Sequence, residues 1–226
     1  MRQQFTHIYL MPGMAASPRI FDRLQLPEDS FRLHRLQWKI PKYQETIEAY
    51  ARRMCAEICH KDPVLLGVSF GGVLVQEMAK HLKVKRVIVV SSVKHHDEMP
   101  SRMHWVRRSQ LYRVFPTALV SRINNWERLA IGSFAKKRAR LYQEYLSVND
   151  KYYLDWSIRN MIYWKQKESI QEVIHIHGDK DVIFPIHRIN NCIKIKGGTH
   201  IMIIDKAAWF NKNLPKLIHQ NSVSLN

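Results

Sequence analysis

The chain has 226 residues, 46% of them hydrophobic and 24% charged, and its 36 Lys and Arg against 19 Asp and Glu leave a formal charge of +17. That composition excludes a disordered chain, and the length suits one α/β domain with room for a small insertion. No run of 18 apolar residues occurs, which excludes a membrane-spanning helix, and three cysteines (Cys55, Cys59, Cys192) cannot build a disulfide framework.

The first residues lead into a short apolar run that ends at Pro12-Gly13, too short for a secretory signal. With the odd cysteine count, this predicts a cytoplasmic protein. Strands are predicted at 7–11, 31–37, 63–67, 86–91, 173–177 and 192–196. Val, Ile and Leu dominate the third, fourth and fifth, as in strands covered by helices on both faces. A helix predicted at 43–59 places Ile47, Tyr50, Met54 and Ile58 on one face at three- and four-residue steps. A second, at 70–82, follows the third strand directly. A third, at 205–218, has Ala207, Trp209, Phe210 and Leu214 as its buried face. Strands alternating with amphipathic helices predict the α/β class: about six mainly parallel strands flanked by helices.

The rhythm breaks between 93 and 171, where no strand pattern occurs. This stretch is rich in aromatic residues, including Trp105, Tyr145, Tyr153, Trp156 and Trp164. From position 94 to 168 it holds 15 Lys and Arg against 7 Asp and Glu. A structureless connection of that length does not suit a compact domain. The expectation is a helical cap at 93–171 folded over a core of 1–92 and 172–226, its aromatics mostly buried helix faces and a few lining a pocket.

The chemistry-bearing residues fall at the ends of predicted strands. Gly67-Val68-Ser69-Phe70-Gly71 lies between a buried strand and a helix, the context in which G-x-S-x-G presents a nucleophile on a strained turn. Neither G-x-G-x-x-G nor Gly-Lys-Ser/Thr occurs, so phosphate binding fits less well. A serine needs a base, and the base an orienting group. Downstream, the fifth strand runs into His177-Gly178-Asp179-Lys180-Asp181 and the sixth into Gly197-Gly198-Thr199-His200.

Ser69, then Asp181 in His177-Gly178-x-x-Asp181 with Pro185 behind it, then Gly198-x-His200, resemble the α/β-hydrolase superfamily in motif and in chain order. The resemblance runs from Ile8 to the last helix. It implies a cofactor-independent serine hydrolase that cleaves a carboxylic ester, with Ser69 as nucleophile, His200 as base and Asp181 as the acid. It implies also that the loop Leu10-Met11-Pro12-Gly13-Met14-Ala15 forms part of an oxyanion hole, the amides of Met14 and Phe70 being its donors. Pro12 stands where that family usually has histidine, and the family's two leading strands have no counterpart, so the chain resembles a trimmed version of the fold.

Alternatives remain at this level. Asp179 lies on the same loop as Asp181, and Asp97 and Glu98 follow the preceding strand, where some relatives carry the acid. His95, His96 and His104 read as a polar cap face. His175-x-His177-x-Asp179 resembles the metal-binding run of metallo-β-lactamase-type hydrolases, but Lys180 stands where that run continues with histidine. Cys55 and Cys59, four residues apart, read as packing residues. Nothing in the sequence calls for a metal, nucleotide or flavin. The same triad also serves acyl thioesterases acting on coenzyme A or acyl carrier protein, C–C bond hydrolases and lyases, and a non-catalytic binding module is a further reading. The basic residues are scattered, the densest cluster being Lys136, Lys137, Arg138 and Arg140, which predicts a solvated surface rather than a nucleic-acid partner. The cap's charge would steer an anionic substrate such as an acyl thioester or its acidic carrier.

Overall fold

A computed structural model describes residues 5–109, 145, 148–170 and 173–220. Among them, six strands form one fully parallel sheet: β1 (Thr6–Met11), β2 (Phe31–Arg35), β3 (Val64–Val68), β4 (Arg86–Val90), β5 (Val173–Gly178) and β6 (Ile193–Ile195). Their order across the sheet is β2-β1-β3-β4-β5-β6. Every predicted strand is present, with ends shifted by no more than two residues.

Alternation along the central strands explains why both faces are covered. Tyr9, Met11, Leu65, Val87 and Val89 face one way, packing against Tyr50 and Met54 of α1 (Ile47–Met54) and Val73, Leu74 and Met78 of α2 (Phe70–Ala79). Ile8, Leu10, Leu66, Ile88, Val90 and Ile176 face the other, against Phe210, Leu214 and Ile218 of the C-terminal helix. The sheet is thus the middle of three layers, and its strands' carboxyl ends share one edge.

The helices depart from the sequence pattern in instructive places. Gln44 adopts φ +54, which stops a helix from starting at Tyr43, and the Thr46 side chain caps the Ala49 amide to start α1 instead. After Met54 the chain tightens into a 3-10 turn at Cys55–Glu57. The last predicted helix, 205–218, is α6 (Ala207–His219), and a short helix that the pattern did not show, α5 (Met202–Asp205), precedes it. Between β4 and β5 the described residues form α3 (Ser101–Ser109) and α4 (Lys151–Tyr163). Tyr153, Trp156 and Trp164 are buried there, whereas Trp105 is exposed. Residues 110–144, with the Lys136–Arg140 cluster, lie outside the described residues. No helix among the described residues is long and apolar enough to cross a membrane.

Candidate active site

Ser69 occupies the turn from β3 into α2 with φ 53 and ψ −123, a conformation that costs an L-residue roughly 1–3 kcal/mol and persists only where its surroundings enforce it. Here they do. The Ser69 amide donates to the Val90 carbonyl at 3.0 Å, and its own carbonyl accepts from the Gly72 amide at 2.8 Å and the Ser92 hydroxyl at 2.7 Å. The two glycines of the motif permit close crossing of backbone segments. A Cβ on Gly67 would meet the Gly71 carbonyl oxygen at 2.2 Å, and one on Gly71 the Pro12 carbonyl oxygen at 2.3 Å.

His200 follows β6 and Asp181 follows β5, so two neighbouring strand ends deliver them beside Ser69. His200 Nε2 lies 3.0 Å from Ser69 Oγ, and His200 Nδ1 lies 2.9 Å from Asp181 Oδ2. The carboxylate needs a proton donor at Nδ1, which leaves the Nε2 lone pair facing the serine hydroxyl. Asp181 Oδ1 also accepts the amides of Ile183 at 2.8 Å and Phe184 at 3.0 Å. Burial on its own would raise the Asp181 carboxyl, but the His200 hydrogen bond and charge, with the Phe184 amide, outweigh it and hold the group below its ordinary value. It is therefore ionised at neutral pH.

The other candidate acids are employed elsewhere. Asp179 accepts the Gly197 amide at 2.7 Å and closes the turn before His200. Glu98 is buried and takes the amides of Lys94 at 2.6 Å and Asn190 at 3.1 Å, while Asp97 is exposed. His175 and His177 are buried behind the site and bond each other at 3.2 Å, with His177 Nε2 donating to the Phe184 carbonyl at 2.8 Å. Asp179 does not complete a metal-binding set with them among the described residues. Burial lowers both imidazoles, His175 far below its ordinary value, so both are neutral.

The loop after β1 faces the same point. Two buried side chains fix it on either side of Met14: Trp38 Nε1 donates to the Gly13 carbonyl at 2.7 Å, and Tyr153 accepts the Ala15 amide at 3.0 Å. Ala15 itself has φ 59. Trp38 also stacks on Phe70, ring centroids 5.2 Å apart and planes 10° from parallel. The Met14 and Phe70 amides have no acceptor among the described residues. The Trp38 and Tyr153 contacts were not foreseen from sequence, because both partners are far away in the chain and neither belongs to a local motif.

A cavity of about 380 Å³ opens at Ser69 and His200, walled by Met14, Ile20, Met103, Met161, Phe184 and Ile203 with Tyr145 of the insertion. A larger cleft of about 1200 Å³, between the start of α1 and α4, touches neither Ser69 nor His200.

No known family pattern matches the chain, and no curated relative does. Solved structures do. A carboxylesterase of the thaumarchaeon Nitrososphaera gargenis superposes with a TM-score of 0.69 at 17% identity, covering 96% of this chain and 90% of its own. The enol-lactonase of Burkholderia xenovorans superposes at 0.68 and 15% identity, covering 96% and 92%. A lipase-esterase related protein of Clostridium acetobutylicum gives 0.63 at 17% identity over 94% of each chain. With six parallel strands flanked by helices, this chain has the α/β-hydrolase fold.

Proposed function

We propose that the protein is a serine hydrolase that cleaves a carboxylic ester through an acyl-enzyme. The observation that carries this reading is the continuous chain of hydrogen bonds from Ser69 Oγ through His200 to Asp181, at 3.0 and 2.9 Å. The esterases and lactonase that share the fold are consistent with it. Ser69 Oγ attacks the ester carbonyl while His200 Nε2 takes its proton, and Asp181 holds Nδ1–H and stabilises the imidazolium. Negative charge develops on the former carbonyl oxygen, where the Met14 and Phe70 amides donate from fixed backbone positions. Collapse of this intermediate expels the alcohol, which receives the proton from His200. Water, deprotonated by the same imidazole, then releases the acid and restores Ser69.

The apolar walls and modest volume of the cavity favour a small, uncharged acyl group. Residues 93–171 act as its cap over a core of 1–92 and 172–226, since Met103, Tyr145 and Met161 close the cavity from that segment.

The test is labelling by a fluorophosphonate probe, which reacts only with an activated serine. Wild type is labelled, Ser69→Ala is not, and His200→Ala is labelled far more slowly. A folded wild type that resists the probe would overturn the proposal and leave a binding role in its place.

A further inference from the structure

Away from the triad, three histidines converge from three segments of the chain. His7 lies on β1, His34 on the adjacent edge strand β2, and His60 in the connection from the 3-10 turn after α1 to β3. One ring nitrogen from each lies within 4.8 Å of the other two, and all three residues are half-buried. His7 Nδ1 and His34 Nε2 are 2.9 Å apart, and the His7 ring stacks on His60 with centroids separated by 3.5 Å. We propose that His7, His34 and His60 form a zinc-binding site that pins the sheet's edge strand and the α1–β3 connection to β1.

The surroundings are those of an oriented ligand set rather than of three loose surface rings. Tyr9 bonds His60 Nδ1 at 2.7 Å and itself accepts the Cys59 amide at 3.0 Å, so backbone and phenol together fix that imidazole. With the proton on Nδ1 toward Tyr9, His60 Nε2 presents its lone pair, the arrangement in which a second group orients a metal-bound histidine. The Tyr9 ring also stacks on His34, centroids 4.5 Å apart, and holds the second ligand against β1. Arg32, the nearby cation whose charge reaches His7, is itself held by the Glu28 and Phe31 carbonyls and lies 3.7 Å over the Phe5 ring.

Three imidazoles without a carboxylate favour zinc over the hard cations magnesium and calcium, which demand oxygen ligands. In a tetrahedral site with bonds of about 2.0 Å, ligand nitrogens sit about 3.3 Å apart, so the His7–His34 pair opens slightly and the third nitrogen closes in. Binding splays the stacked His7 and His60 rings, a movement open to His60 because it lies in a connection rather than a strand. The proton now shared between His7 and His34 moves to the free nitrogen of the ring that holds it. Each histidine donates one lone pair, nothing is oxidised or reduced, and water fills the fourth position.

The experiment uses the full chain, freed of metal with EDTA, then equilibrated with Zn²⁺ and desalted. Expected are one Zn²⁺ retained per chain and a higher melting temperature, with Mg²⁺ giving neither. His60→Ala, whose residue lies in a connection, weakens Zn²⁺ binding at least tenfold and abolishes the thermal shift; His34→Ala does the same. His187→Ala, at an exposed histidine, changes nothing. Circular dichroism of the metal-free variants establishes that they fold. Equal Zn²⁺ retention by wild type and His60→Ala, or no retained Zn²⁺ in wild type, would overturn the proposal. Fluorophosphonate labelling of Ser69 is read separately, so a failed zinc site and a failed hydrolase are distinguishable.

Discussion

The phenol oxygen of Tyr153, on α4 of the insertion, accepts the amide of Ala15 at 3.0 Å in the fully buried space behind the loop that follows β1. This contact joins two segments remote in sequence and sits one residue from Met14, a proposed oxyanion donor. The described part of the segment between β4 and β5 therefore lines the cavity, through Met103, Tyr145 and Met161, and also holds the loop beside Met14.

Tyr153→Phe tests that coupling, because it removes one oxygen and little else. If the loop relaxes and moves the Met14 amide, kcat on a p-nitrophenyl ester falls by about 10- to 100-fold while KM stays within about twofold. Stability falls by about 1 kcal/mol for the lost buried hydrogen bond. An unchanged kcat would mean that Trp38, bonded to Gly13 on the other side, fixes the loop alone.

Asp181 and Asp179 lie on one loop and differ in what they hold, so their amides are expected to behave differently. Asp181→Asn presents the wrong partner to His200 Nδ1 and should lower kcat by about 10³- to 10⁴-fold. Asp179→Asn weakens the bond to the Gly197 amide, costing about 1 kcal/mol of stability but less than about threefold in kcat. The reverse ranking would move the acid to Asp179. The Asp181 carboxyl sits below its ordinary value of 3.8, so its stabilisation is present above that pH and lost as pH falls through the lower folded value. Asp181→Asn should accordingly flatten the acid limb of the stability profile.

The alternating hydrophobic runs placed all six strands, because burial on both faces leaves Val64, Leu65 and Leu66 or Val87, Ile88 and Val89 few chemical choices. Ser69, Asp181 and His200 were legible for a related reason: each follows a strand, and strand ends converge at one edge of a parallel sheet. Part of what escaped was non-local. Trp38 and Tyr153 meet the loop through single hydrogen bonds across long sequence separations, and a lone aromatic carries no periodicity to betray such a bond. The start of α1 was missed because Gln44 takes a left-handed φ that its side chain does not announce. The expected steering of an anionic substrate rests partly on Lys136–Arg140, outside the described residues, whereas the described cavity wall is apolar.

The backbone of Ser69 allows a comparison that separates function from stability. Ser69→Ala and Ser69→Gly both remove the hydroxyl and its bond to His200, but only glycine accepts φ 53 without steric cost. Ser69→Gly should therefore be more stable than Ser69→Ala by about 1 kcal/mol in urea unfolding. Equal stabilities would mean that the strained turn relaxes once the side chain is shortened.

The buried His175 offers the last test, in stability against pH. Burial first, then the neighbouring His177 and Lys94, hold its imidazole far below the ordinary 6.5, so the folded chain keeps it neutral. The unfolded chain takes up that proton once the pH drops below about 6.5, and protons bound only by the unfolded state destabilise the fold. The contribution of His175 is thus full above 6.5 and shrinks as pH falls from there toward its folded value. His175→Leu keeps an apolar side chain in β5 and removes the titration. Its unfolding free energy should drop less than that of wild type between about pH 7.5 and pH 5.5, whatever the two values are at the higher pH. A drop as large in the variant would assign the acid sensitivity to His177 and the other histidines whose values are lowered, His7, His34 and His96, rather than to His175.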